Sequence, residues 1–402
     1  MKKFLRKYIW LFLIISLIIL FPQSLSNQAE LNMRMIITGI GIDYKDDKYT
    51  LTSQIVLPSS KNETSSINAH LSQVETTGET ISAAIQDLSF KLGKIPEFSH
   101  LEYVLIGKSL EKQNIVGCLD YFFRNFKLKN SIMLFSAEED ASETIKSISK
   151  LELSVALNMQ KLFLSSEQNT QGIAKTYVEF TSDSFSKSGV SVIDTLSFNK
   201  EESQESSSSS KDSAEKPSTI KLMSSLKLYK KGVLSGKIEN KDQIFGYHLL
   251  NNKSISSNLS LKNFSYGDIQ NANINLRLDR ISKKITTKFD SNKPTFNITL
   301  VINECHIDEI ACDGINKNIY SSILPYKSQD EILNAAKDKL RENITECFLT
   351  AQSQNCDIYQ LANYAHITDS KKWQTYLNQL ANEDEYIKTL NINVNIEFDN
   401  VK

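Results

Sequence analysis

The chain has 402 residues, with 46 basic and 47 acidic side chains and a formal net charge of −1. That length allows two or three domains and a substantial core. The near balance of charge argues against a nucleic-acid surface or a strongly acidic partner. The five cysteines include no CxxC pair and do not form a disulfide framework. They read as buried free thiols, with one pairing, Cys305 with Cys312, left open.

Lys2, Lys3, Arg6 and Lys7 precede an apolar run over residues 8–21, YIWLFLIISLIILF, which contains Tyr8, Trp10, Phe12 and Phe21. A basic stretch followed by such a run is an export signal. At 1.5 Å per residue the run spans roughly 21 Å of helix, short of the ~30 Å hydrocarbon core. Two fates are open: cleavage after Ser26, or retention as a short anchor with its basic end in the cytoplasm. Either places the remainder on the extracytoplasmic side.

Residues 35–58, MIITGIGIDYKDDKYTLTSQIVLP, read as two strands around a polar turn. Gly39-Ile40-Gly41 lacks the third glycine of a phosphate loop, and a strand follows, so the glycines serve a strand bend. Residues 59–72 read as a loop. Thr76 and Glu79 suggest a capping box ahead of a helix over 81–92, closed by Gly93. Strands follow at 101–106 and 132–135, and helices at 115–126, 141–148, 153–164 and 176–185. The pattern is α+β. The tract 200–218, KEESQESSSSSKDSAEKPS, has no large apolar side chain and reads as a flexible linker. A second hairpin is expected over 219–238. Strands then follow at 273–278, 284–289 and 295–302, with a long helix over 328–354 started by Ser328 and Glu331, and a period-2 strand over 390–398. The expected layout is a signal or anchor over 1–26, a mixed α/β domain over 27–199, the linker, a small β-rich domain over 219–268, and a sheet with a long helix over 269–402.

No chemistry-bearing constellation stands out. None of the five histidines, His70, His100, His248, His306 and His366, lies in an HExxH motif or beside a GxSxG or SxxK nucleophile. His100 reads as a structural hydrogen-bonding residue. The stretch from Glu304 to Asp313 contains zinc-compatible side chains, but Cys305 and His306 on a strand point to opposite faces. It reads as a strand end running into a polar turn. No catalytic residue, metal or cofactor is assigned.

Several stretches together resemble the Ger(x)C family, the C subunits of spore germinant receptors. The likeness runs along nearly the whole chain. Its N-terminal part is Glu30-Leu31-Asn32, then residues 37–43 (ITGIGID) with Gly39, Gly41 and Asp43, and residues 49–58 with Gln54 and Pro58. Residues 99–107 (SHLEYVLIG), with His100 and Gly107, and residues 119–124, ending in Arg124, are similar to two further motifs. Residues 226–236 around Gly232 resemble the family's second hairpin. Asp357-Ile358-Tyr359, Trp373 and the final strand fit its C-terminal pattern. Family members carry a lipid-modified cysteine at a position occupied here by Leu25, so either the 8–21 segment acts as anchor or the protein is released after cleavage at Ser26. The residues around the second hairpin also differ, with Ser224, Ser225 and Lys237. The resemblance implies three mixed α/β domains on the outer surface of the spore inner membrane, beside integral-membrane partners of the A and B subunit types, with no catalytic residues. Apart from the resemblance, a secreted or anchored solute-binding or envelope-assembly protein is the alternative.

Overall fold

The computed structural model describes residues 33–58, 69–126, 128–149, 159–168, 172–199, 219–221, 225–251, 256–266, 269–291, 293–312 and 326–401, with the single positions 16 and 170. The apolar 8–21 segment apart from position 16, the 200–218 tract, most of the 59–72 stretch and residues 153–158 lie outside them. Among the described residues no helix is long and apolar enough to cross a membrane.

The described residues open with strands β1 (Arg34–Lys45), β2 (Lys48–Pro58) and β3 (Ala69–Gly78). Helix α1 (Ile81–Leu92) and strands β4 (Ile95–Glu97) and β5 (Tyr103–Ile106) follow, then α2 (Ile115–Asn125), β6 (Met133–Ala137) and α3 (Ala141–Ser149). Next come α4 (Met159–Gln168), β7 (Lys175–Thr176), α5 (Tyr177–Ser184), β8 (Val190–Asn199) and β9 (Thr219–Lys221). The second half contains β10 (Leu226–Lys230), β11 (Val233–Ile238), α6 (Lys241–Asn251), β12 (Ser256–Tyr266), β13 (Ile269–Asp290) and β14 (Lys293–Cys312). It ends with α7 (Tyr326–Ser353), α8 (Leu361–Thr368), α9 (Ser370–Leu377) and β15 (Ile392–Val401). The fold is α+β, with two sheets.

The first sheet runs β11-β10-β8-β6-β5-β1-β2-β3, with β4 beside β1, β7 beside β6 and β9 beside β8. Its middle is parallel (β1 with β5, β5 with β6, β6 with β8) and its hairpins are antiparallel. Both faces are covered, as a largely parallel sheet requires. Ile37, Ile40 and Ile42 of β1 pack with Ile85 and Leu88 of α1 and Leu119 and Phe122 of α2. Tyr103, Leu105 and Phe135 pack on the other side with Ala141, Ile145 and Ile148 of α3 and Phe163 of α4. The second sheet, β12-β13-β14-β15, packs one face on the helices. Phe296, Ile298, Leu300 and Ile302 of β14 share a core with Ile332, Ala336, Leu340 and Ile344 of α7. Its outer side shows Asn393 and Asn395, with Asn393 donating to Asn297 Oδ1 at 3.0 Å.

The 219–238 hairpin does not found a sheet of its own. Asn199 pairs with Thr219, and β10 pairs with β8 from Leu226↔Asp194 to Lys230↔Val190. The stretch 219–268 is therefore shared: β9 to β11 extend the first sheet, and β12 opens the second. The same core cluster joins Val190, Val192, Leu226 and Leu228 to the helices of the second half.

Several local expectations are corrected. Thr76 and Glu79 do not cap α1, because Thr76 belongs to β3; Thr80 is the cap, accepting from Ala83 N at 3.1 Å. Part of the expected 59–72 loop is strand β3. The strands at 273–278 and 284–289 are one long β13 with Arg280 at φ 55° inside it. Helix α7 starts before Ser328, so Ser328 and Glu331 lie within it. Cys305 and His306 are not at a strand end, because β14 continues to Cys312. Cys305 is a buried free thiol. Cys312 lies seven residue steps further along the strand, roughly 23 Å, and a disulfide needs Cα atoms within about 7 Å. Cys305 is buried and His306 half-buried, on opposite faces as the alternation required.

Candidate functional site

The turn of the first hairpin is Asp46-Asp47, both with positive φ (48° and 58°), as a tight two-residue connection demands. The β1–β2 register shifts between Ile37 and Gly39. That bulge moves Ile37, Ile40 and Ile42 onto the α1–α2 side, and leaves Gly39, Gly41 and Asp43 on the side of α3. This alternation explains the residue types. A Cβ at Gly39 would overlap the Tyr103 ring. A Cβ at Gly41 would stand 2.9 Å from Ala141 Cβ, so the first residue of α3 rests on bare backbone. The glycines serve close approach of a ring and a helix.

Asp43 is buried and accepts from Ala141 N (3.0 Å) and Ser142 N (3.1 Å), the first two N–H groups of α3. Ser109 Oγ donates to it at 3.3 Å. A carboxylate from a distant strand thus caps a helix N-terminus and complements its dipole. Burial pushes the Asp43 carboxyl above its usual 3.8, more than the two N–H groups pull it down. Gly107 completes the arrangement. Its N–H donates to Ile42 O at 2.9 Å, and a side chain there would overlap Asp43 Oδ1. Beside the cap, Lys45 pairs with Asp140.

Gln54 holds the other end of α3. It is buried opposite Gly39. Its Oε1 accepts from Thr38 Oγ1 (2.9 Å) and Tyr103 Oη (3.0 Å), and its Nε2 donates to Ser149 Oγ (3.2 Å), the last residue of α3. Thr38, Tyr103 and Ser149 carry no signal in sequence that ties them to Gln54. A tyrosine on a short apolar strand reads simply as core. Only the overlap at Gly39 reveals its direction.

Five of the singled-out residues, Gly39, Gly41, Asp43, Gln54 and Gly107, therefore meet at α3. The others lie elsewhere. Pro58 ends β2 opposite Ala69. His100 is exposed in the turn before β5. Arg124 is exposed and pairs with Asp120 one turn earlier at 2.7 Å. Gly232, at φ 84°, forms the β10–β11 turn with Lys231 at φ 52°. That turn sits on the N-terminus of α2: Gly232 O accepts from Ile115 N at 2.8 Å, and Asn114 caps the helix. Trp373 is buried in α9, edge-on to Tyr386 at 5.3 Å between ring centroids. Tyr8, Trp10, Phe12 and Phe21 lie outside the described residues.

The second half repeats the capping device. Asp357 is buried, and its oxygens accept from Leu361 N and Ala362 N of α8, both at 2.9 Å, and from Tyr386 Oη at 2.8 Å. The halves meet through further polar contacts. Gln360 Oε1 accepts from Ser186 Oγ (2.9 Å) and Ser188 Oγ (2.6 Å), and its Nε2 donates to Val190 O (2.6 Å). The buried Asp194 of β8 faces His248 Nε2 of α6 at 3.2 Å and accepts from Ile173 N at 2.6 Å. Lys227 of β10 pairs with Glu111. An open cleft of about 350 Å³ lies between the first hairpin and the starts of α1 and α2, lined by Tyr49, Ser82, Asn114, Cys118 and Tyr121. Among the described residues no group of three His, Cys, Asp or Glu is placed to hold a metal ion.

Residues 27–197 match the spore germination protein N-terminal domain, and residues 226–399 match the Spore germination B3/GerAC-like C-terminal domain. Spore germination protein B3 of Bacillus subtilis (strain 168) is 34% identical over 108 residues, 26% of this chain and 28% of that protein. The crystal structure of the GerBC protein superposes with a TM-score of 0.51 at 18% identity, covering 90% of this chain and 96% of that one. At that identity the likeness is one of fold. Matches to both domains and a superposition that spans both halves define a spore germination protein of the GerC type. The chain belongs to the Ger(x)C family.

Proposed function

We propose that this protein is a non-enzymatic subunit of a nutrient germinant receptor. It acts as an extracytoplasmic scaffold beside integral-membrane partners of the A and B subunit types, at the spore inner membrane. The observation that carries this reading is how the family signature is used. Asp43 accepts from two N–H groups and a hydroxyl, Gln54 from two hydroxyls, and the glycines lie under a helix and a ring. These residues hold α3 on the sheet and present no free acid, base or nucleophile, which is what a docking body requires. The apolar 8–21 segment supports a place at the membrane. The test is deletion of the gene and a germination assay on purified spores. Loss of response to at least one nutrient, restored by the wild-type gene, is expected. Normal germination to every nutrient, with related subunits also deleted, overturns the proposal.

A further inference from the structure

Exposed apolar side chains gather where β1 starts. Met33 precedes the strand and Ile36 is its third residue; both are exposed. Strand β4 runs beside it in parallel, with Arg34 opposite Ile95 and Ile36 opposite Glu97. Side chains alternate between the faces of a sheet, so Ile36 and the exposed Ile95 share one face, beside the Arg34–Glu97 pair. Helix α1 covers the other face at Ile37. Phe90 stands in its last turn, five residues before Ile95. It points away from the buried Ile81, Ala84, Ile85 and Leu88 and is 86% exposed. The carboxylates on these segments are paired, Asp87 with Lys91 at 3.0 Å and Glu97 with Arg34. Lys94, between Phe90 and Ile95, has no ion pair among the described residues. Single exposed apolar residues are ordinary. Four of them around one strand start, with no unpaired carboxylate among them, form a rim suited to a surface that excludes negative charge and water.

We propose that this rim of Met33, Ile36, Phe90 and Ile95 rests in the interfacial layer of the lipid bilayer. The inference rests on the membrane placement proposed above and adds which face of the protein meets the lipid. The length of chain before β1 selects the occupant. Met33 follows Phe21, the end of the apolar run, by twelve residues (33 − 21). Twelve residues span at most roughly 43 Å, so a bilayer that holds the run is within that reach of β1. Docked this way, the apolar side chains enter the boundary between headgroups and acyl chains, as those of an interfacial helix do. Arg34, Lys91 and Lys94 lay their stems along apolar surface and keep their charged ends among the headgroups.

The test places a polarity-sensitive fluorophore at single cysteines in the full chain: Phe90→Cys, Ile95→Cys and, as a control of matched exposure, Ile367→Cys on α8, where Ile367 is 81% exposed. The wild type sets the background from native thiols, of which Cys118, Cys305, Cys347 and Cys356 are buried. Each protein is reconstituted in phosphatidylglycerol–phosphatidylcholine vesicles that hold no other protein, recovered by flotation, and quenched with doxyl-labelled lipid or with iodide. Labels at 90 and 95 are expected to shift their emission to the blue, to be quenched by the doxyl lipid and to lose most of their iodide quenching. The label at 367 is expected to be quenched by iodide alone. Flotation with iodide quenching as free at 90 and 95 as at 367 overturns this contact and leaves the membrane placement standing. Shielding from both quenchers, the sign of cover by the chain's own residues, overturns it as well, and so does equal doxyl quenching at all three positions. Failure to float overturns the membrane placement and this contact with it.

Discussion

At the residue scale, Gly107 and Asp43 form one device written in two distant places. Gly107 is small so that Asp43 can reach the start of α3. A Gly107→Ala substitution must displace either the carboxylate or the backbone. The expected loss is about 2–4 kcal/mol, overpacking plus a lost cap, read as a lower urea midpoint at unchanged slope. Asp43 also gives a pH signature. Burial raises its folded-state value above that of the unfolded chain, near 3.9. Between those values the folded protein holds the proton and the unfolded chain does not. Its contribution to stability is therefore full below about pH 3.9 and is lost as pH rises through the folded value. Urea midpoints measured upward from about pH 3.5 should decline less steeply in Asp43→Asn than in the wild type. Asp357 shifts the same way and remains as background in both. An identical slope in the two proteins would refute the assignment.

At the scale of elements, the sequence was most readable where one face packs and the other is wet. In α7, Ile332, Ala336, Leu340 and Ile344 recur at helical spacing, and all four residues are buried. It was least readable where an element is covered on both sides. Helix α6, KDQIFGYHLLN, buries Ile244, Tyr247, His248, Leu249 and Leu250 around its circumference and so shows no stripe. Strand β8, VSVIDTLSFN, is rich in β-branched residues but ends where the Ser-rich tract begins, and no strand is read between the 176–185 helix and that boundary. Strand β3, AHLSQVETTG, has too few apolar residues to mark a strand, because it is the edge of the sheet beyond β2. The α3 clamp was legible as residue types and illegible as a site. Nothing in the spacing of Asp43, Gly107 and Ala141 says that they touch. The β10–β11 turn carries this scale's prediction. Gly232 has φ 84°, and a Cβ there would stand 2.6 Å from Asn114 Oδ1, the cap of α2. Gly232→Ala should cost about 1–3 kcal/mol through strain and the disturbed cap. An unfolding midpoint matching the wild type would show that the turn does not bear on α2.

At the scale of the molecule, the tract at 200–218 joins neighbours within one sheet. Asn199 and Thr219 are paired residues, and β10 lies along β8. Contacts across this connection include Lys227–Glu111, Asp194–His248 and Gln360 with Ser186 and Ser188. Covalent continuity there should be dispensable once the protein has folded. A protease site placed at residue 210 and cut in the folded protein should yield two fragments that co-elute at the uncut size and separate only in denaturant. Separation under native conditions would contradict the pairing.

The same pairing has a consequence for the order in which the protein is made. Strand β8 ends at Asn199, and its neighbour β10 begins at Leu226, 27 residues later (226 − 199). At about 10 residues per second, translation leaves that flank of the first sheet without its partner for roughly 3 s. During that interval a strand rich in valine and isoleucine presents open N–H and C=O groups, a template for pairing with another chain. A newly made chain thus passes through a window of vulnerability that the finished protein no longer shows. Chaperone dependence should fall on synthesis of residues 200–238 more heavily than on any stretch after them.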